Sequence, residues 1–116
     1  MEHWQDRTRL LIGDEGINLM KSKHLLVAGL GGVGAYAAEQ LARAGIGRMT
    51  LVDGDVVNVT NRNRQLLALE STLGRPRAEV MAARRRDINP EIELTVVNQY
   101  VRDRAIIDLM ARPFDY

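Results

Sequence analysis

Gly29, Gly31, Gly32 and Gly34 fall within the run VAGLGGVG at positions 27–34, and three of them satisfy the spacing G-x-G-x-x-G. The first glycine permits a tight turn out of a strand. The second lets backbone approach a phosphate, and the third lets a helix pack closely on that strand. Exposed N–H groups and the helix dipole then favour an anion at the helix start. A turn with no ligand would need the same glycines, so the run points to phosphate only in company. Asp53 supplies that company, nineteen residues beyond Gly34. It stands where a carboxylate takes ribose hydroxyls, and its charge would repel a 2′-phosphate. On these residues NAD and ATP fit equally well, and NADP is disfavoured.

The residues that follow separate the two. The segments DGDVVNVTNRNRQ (53–65) and GRPRAEVM (74–81) bring Arg62, Arg64, Arg75 and Arg77 together with Asn58, Asn61, Asn63 and Gln65. A hydride-transfer site has no need of them. Guanidinium and amide groups suit a triphosphate, because they neutralise the charge that builds on phosphate oxygens as pyrophosphate leaves. Asp55 is placed to help hold Mg²⁺ beside those phosphates. Arg84, Arg85 and Arg86 read instead as a solvated helix face.

These residues need elements to carry them. Positions 1–21 hold apolar Leu10, Leu11, Ile12, Ile17, Leu19 and Met20, interrupted by Gly13 and Gly16, which predicts two short helices. KHLLVAG (23–29) predicts a buried strand, VGAYAAEQLARAG (33–45) a helix ended by Gly45, and RMTLVDGD (48–55) a second strand. A polar loop leads to a short helix expected at 66–70. RPRAEVMAARRRDINP (75–90) predicts a helix with Pro76 in its first turn and Asn89-Pro90 as its stop. EIELTVVNQY (91–100) predicts a third strand, and DRAIIDLMA (103–111) a helix with Asp103 as N-cap. PFDY (113–116) reads as the lead-in to a fourth strand. The expected fold class is α/β: a Rossmann-like parallel sheet, the N-terminal half of a doubly wound nucleotide-binding fold, preceded by short N-terminal helices. The expected division is an N-terminal helical segment at 1–22 and a nucleotide-binding domain at 23–116, incomplete at its C-terminus. The chain is thus expected to be a fragment of a larger protein, short of what the complete reaction requires.

Bulk properties narrow the setting. The chain has 116 residues, 46% hydrophobic and 27% charged, with a net charge of +1 and no cysteine. One domain fits that length. There is no disulfide framework, thiolate metal site or cysteine nucleophile. No apolar run reaches membrane-spanning length, and charges sit where a secretory signal would be apolar. A cytoplasmic location with no membrane partner is the expectation.

GLGGVG, LVDGD, TNRNRQ and G-x-P-[K/R]-A-E follow one another in this order. With them the chain resembles the adenylating enzymes related to ThiF, MoeB and the ubiquitin-activating enzymes, over nearly its whole length. Within that superfamily it looks most like the tRNA threonylcarbamoyladenosine dehydratases of the TcdA (CsdL) type. The details are DRTRLLIGDEGI, GVGAYAAEQLARAGIGRMTLVDGD and AEVMAARRRDINP. The R-Y-x-R-Q start typical of MoeB- and ThiF-type proteins is absent.

The resemblance implies ATP and Mg²⁺ as cofactors, attack of a substrate carboxylate on the α-phosphate, an acyl-adenylate, and release of pyrophosphate. For the dehydratases the carboxylate belongs to threonylcarbamoyladenosine in tRNA, which then closes to a cyclic form with loss of water. It also implies a homodimer, and a link to a cysteine desulfurase and its sulfur acceptors. By motif position, Gly29, Gly31, Gly32 and Gly34 would line the phosphates, Asp53 take the ribose, and Asp55 sit near metal or phosphates. Asn61, with its neighbours Asn63 and Gln65, and the catalytic arginines Arg64 and Arg77 would serve the triphosphate. Arg9 matches the catalytic arginine that reaches the nucleotide of a neighbouring subunit. Two departures stand out. Arg77 replaces the usual lysine, a planar fork in place of a compact ammonium. The family's main metal-binding aspartate is expected beyond Tyr116. Two other activities share parts of this pattern: adenylation of the C-terminal Gly-Gly of a ubiquitin-like sulfur carrier, and an NAD-binding oxidoreductase domain.

Overall fold

A computed structural model describes residues 2–100 and 104–116. Three five-residue strands form one parallel sheet in the order β1 (His24–Ala28), β2 (Arg48–Val52), β3 (Glu93–Val97). The pairing is in register from His24↔Arg48↔Glu93 to Ala28↔Val52↔Val97. The helices are α1 (Asp6–Lys21), α2 (Gly32–Ala44), α3 (Arg77–Ile88) and α4 (Arg104–Met110). The protein therefore has an α/β, Rossmann-like fold. Asp103, expected to cap α4, lies outside the described residues.

Strand β2 is central and covered on both faces, so all its residues after Arg48 are buried, Thr50 among them. Helix α2 packs over β1, α3 over β2 and β3, and the two helices against each other. Small residues make that close approach possible: Ala35, Ala38 and Ala42 of α2 and Ala78 and Ala82 of α3 join Leu25, Met49, Leu51 and Met81 in one core. On the other face, His24 Nε2 and Thr50 Oγ1 are 2.8 Å apart, and His24, Thr50, Thr95, Leu109 and Phe114 share a cavity. PFDY runs along the outer edge of β1. Asp115 N–H donates to the His24 carbonyl at 2.9 Å, and Leu26 N–H donates to the Tyr116 carbonyl at 3.0 Å. A fourth strand of a doubly wound sheet takes this side of the first.

Several expectations need correction. The N-terminal helix does break, with Gly13 at φ +70° and ψ 178°, but Gly16 lies inside it. Of its apolar positions Ile17 is buried, whereas Leu10 and Leu11 are 88% and 86% exposed. Strand β2 stops at Val52: Asp53 N–H makes the last bond to β3, at the Val97 carbonyl, and the Asp55 N–H turns to the Asp53 carboxylate. No helix forms at 66–70; 3₁₀ turns occur at Val59–Asn61 and Glu70–Thr72 instead. Thr72 Oγ1 donates to the Leu67 carbonyl at 2.6 Å, and this local bond supplants a helical one. Pro76 is the N-cap of α3 and not a residue of its first turn.

The arginine run is the largest correction. Arg86 is exposed, but Arg85 is completely buried and none of its side-chain nitrogens has a hydrogen-bond partner among the described residues. Its charge is met by Glu39 of α2, 3.6 Å away. Arg84 donates to the same carboxylate, and Arg43 lies 3.9 Å from it. Burial pushes the Arg85 pKa down to about 10, with Glu39 opposing the shift, so the group stays charged at neutral pH. Burial also works against the Glu39 carboxylate, but the Arg84 hydrogen bond and the charges of Arg84, Arg43 and Arg85 hold its pKa below the ordinary value.

A carboxyl whose pKa is depressed by folding adds stability above its unfolded value, and that stability is lost as pH falls through the folded value. Glu39→Gln is therefore expected to cost about 3 kcal/mol at neutral pH by leaving Arg85 buried without its counter-charge. Urea titrations should also show a flatter acid limb for this variant than for the parent.

Candidate functional site

The candidate site lies where the C-terminal ends of β1 and β2 meet the starts of α2 and α3. Gly29 leaves β1 at φ +89°, and its N–H donates to the Val52 carbonyl at 2.8 Å. A Cβ on Gly34 would overlap the Gly29 carbonyl, so the third glycine of the motif is required for the turn to close on its own helix. Gly31 is the N-cap of α2, which has no side-chain cap. The N–H groups of the first turn thus have no acceptor from the helix itself. Gly32 opens onto space: a Cβ there would meet nothing within 4 Å.

Asp53 organises the floor. It is 3% exposed, and each of its oxygens is engaged twice. Oδ2 accepts the Leu30 N–H at 2.6 Å and lies 2.9 Å from Arg77 Nη2. Oδ1 accepts the Asp55 N–H at 2.7 Å and Arg77 Nε at 3.2 Å. One carboxylate thereby ties the glycine turn, the end of β2 and the start of α3 together. Arg77 reaches further, donating from Nη2 to Asp55 Oδ2 at 2.8 Å and from Nη1 to Gln65 Oε1 at 3.2 Å. Both Arg77 and Gln65 lie against Gly31, where a Cβ would come within 3.3 and 3.4 Å of their side-chain nitrogens. Gly29, Val52, Asp53, Gly54, Asp55, Arg77 and Tyr100 line a cleft of about 300 Å³.

The other expected residues are placed differently. Asn61 is buried inside its loop, its Oδ1 accepting the Asn58 N–H at 3.0 Å and its carbonyl accepting the Arg64 and Gln65 N–H groups. Its observed contacts shape the turn that presents Gln65. Arg64 is exposed and donates to the Thr60 carbonyl and to Asn63 Oδ1. Arg62 pairs with Glu70 at 2.7 Å. Arg9 pairs with Asp6 and Asp14 on α1, and the structure does not bring it together with the cleft residues. Among the described residues no group of three or more His, Cys, Asp or Glu is arranged to hold a metal ion. Asp55 is already paired with Arg77, so these residues do not by themselves make a magnesium site.

Sequence reasoning missed Tyr100. Its hydroxyl donates to Asp55 Oδ1 at 3.0 Å, and its ring packs on Gly54, where a Cβ would come within 2.7 Å of the ring carbon. The available signal was an aromatic residue just beyond the C-terminal end of a parallel strand, where such folds gather their ligand contacts.

The model of the ThiF family matches residues 5–116. The tRNA threonylcarbamoyladenosine dehydratase of Bacillus subtilis is 45% identical over 116 residues, all of this chain and 46% of that protein. The molybdopterin-synthase adenylyltransferase of Salmonella typhimurium is 42% identical over 97 residues, 84% of this chain and 39% of that protein. The Escherichia coli tRNA N6-threonylcarbamoyladenosine dehydratase, TcdA, has been solved in complex with ATP. That structure superposes with a TM-score of 0.89 at 44% identity, covering 98% of this chain and 48% of that one. The chain thus spans about half the length of the relatives it matches.

Asp53→Asn keeps the shape of the site but turns an amide donor toward groups that are themselves donors. It is expected to lower stability by about 3 kcal/mol. Asp55→Asn, at a half-exposed side chain, should cost less than about 1 kcal/mol. Thermal and urea unfolding of the two variants check the ranking.

Proposed function

The chain belongs to the ThiF family, and on that premise we propose that it forms the nucleotide-binding half of an enzyme that adenylates a carboxylate with ATP. The substrate carboxylate is that of threonylcarbamoyladenosine in tRNA. The observation that carries this reading is the Asp53–Arg77 pair set against the glycine turn. A buried carboxylate that could take a ribose and a guanidinium that could take phosphates sit together at the start of α2. Identity of 45% to a dehydratase along the entire chain supports the choice of substrate.

In this reading the first-turn N–H groups of α2 and the Arg77 guanidinium take the phosphates, and Asp53 takes the ribose. Gly32 leaves the room that a phosphate needs at the helix start. A substrate carboxylate oxygen bonds to the α-phosphorus while the bond to the bridging oxygen breaks, and pyrophosphate departs with that electron pair. Arg77, held at the turn by Gln65, offsets the negative charge that develops. A nucleophile within the same substituent then displaces AMP. AMP carries off one carboxylate oxygen, and the tRNA has lost the elements of water. A magnesium ion carried by the triphosphate would meet Asp55, one ligand where such ions take several. Arg9 would act across a homodimer, reaching the partner's nucleotide. The setting is the cytoplasm; no helix among the described residues is long and apolar enough to cross a membrane.

A second reading keeps the chemistry and exchanges the substrate for the C-terminal Gly-Gly of a sulfur carrier, favoured by 42% identity to a molybdopterin-synthase adenylyltransferase. Incubated with ATP and tRNA bearing threonylcarbamoyladenosine, the whole enzyme of which this chain forms half is expected to release AMP and pyrophosphate in equal amounts. Release that depends on a sulfur carrier and ignores the tRNA would select the second reading. Tight binding of NADH without binding of ATP would overturn both in favour of an oxidoreductase domain.

A further inference from the structure

We propose that Arg77 couples recognition of the nucleotide's phosphates to recognition of its ribose. It does so by leaving Asp53 for the phosphates and thereby releasing that carboxylate to the ribose hydroxyls. The inference rests on the nucleotide-binding reading above.

A carboxylate offers about four acceptor positions. In Asp53 all four are taken: by Leu30 N–H, Asp55 N–H, and two nitrogens of Arg77. The two backbone donors belong to the glycine turn and the end of β2 and are held by the fold. Arg77 is the donor on a side chain, and so the one that can move. A ribose hydroxyl finds an acceptor on Asp53 only when the guanidinium turns away. A ribose hydroxyl brings no opposite charge, so its bond to the carboxylate is weaker than the two-pronged ion pair it would replace. A nucleoside alone therefore competes poorly for Asp53.

A polyphosphate changes that balance. Arg77 Nη1 already lies beside Gly31 at the start of α2, where phosphates would sit. A phosphate presents more negative charge than one carboxylate and accepts a guanidinium in the same two-pronged way. The distance to travel is short, because the side chain bridges Asp53, Asp55 and Gln65 across the cleft. Lysine could not span these three partners in one plane, so it would couple the two sites less strongly than the arginine of this chain.

Calorimetric titration tests this with adenosine, ATP and inorganic tripolyphosphate as probes. Adenosine is expected to bind the unmodified protein weakly alone and about tenfold more tightly with saturating tripolyphosphate, the size of an ordinary coupling between sites. In Arg77→Met, adenosine alone should bind more tightly than to the parent, tripolyphosphate should no longer help, and ATP should bind less tightly. Arg77→Lys should fall between. An arginine that served the phosphates only would leave adenosine affinity unchanged by tripolyphosphate in the parent, and that result would overturn the proposal while ATP binding still stood. Absence of ATP binding to the unmodified protein would instead overturn the nucleotide-binding reading itself. The parent titrations with tripolyphosphate decide the matter even where a variant fails to fold.

Discussion

The buried carboxylate of Asp53 is the constraint on which the site depends. Placing a charge in the interior costs several kcal/mol unless it is fully paired and hydrogen-bonded. Here two backbone N–H groups and a guanidinium meet it, and each comes from a different element. Satisfying one charge therefore fixes how the glycine turn, the end of β2 and the start of α3 sit relative to one another. The same contacts leave the helix start open and the arginine above it. Structure and candidate chemistry share one set of hydrogen bonds.

A second buried charge performs a different task on the helical face. Glu39 and Arg85 meet between α2 and α3, where the alanines bring the two helices close. Arg84 and Arg43, at the margin, add positive charge around the same carboxylate. The balance is unequal, since Arg85 has its counter-charge but no hydrogen-bonding acceptor among the described residues. Such an arrangement contributes less to net stability than an apolar pair of the same volume, yet removing either member is costly. It makes the packing of the two helices conditional on a specific ion pair. The cleft depends on this packing, because α3 begins with Arg77.

The choice of arginine at position 77 has a consequence for how the site is built. A point charge would serve phosphates from several positions, but a planar fork must be aimed. The aim comes from Gln65 on one side and the two aspartates on the other. The polar loop at 53–65 thus has two jobs, with Asn61 turning the backbone and Gln65 orienting the guanidinium. Arg64, beside them in sequence, faces solvent and leans on its own loop. Neighbours in a motif need not be neighbours in a site.

The sequence by itself determined the three strands, the main helices and the glycine turn, and singled out Asp53 near the end of the second strand. Each follows from local rules: glycines spaced for a tight turn, an apolar run bounded by them, a carboxylate closing the second strand. The fold class was legible for the same reason. Only the tertiary structure decided which arginines are enclosed and what each one touches. Arg85 and Arg86 are adjacent and chemically identical, yet one is enclosed and the other solvated, because the packing of α3 on α2 and the sheet selects the face. Tyr100 enters the cleft because β3 lies beside β2 and ends level with it, a juxtaposition no local pattern records. Arg77 lies far from Asp53 in sequence and touches it because the chain after β2 pairs back on itself, with Val56 bridging Pro76 and the Arg77 N–H donating to the Asp55 carbonyl.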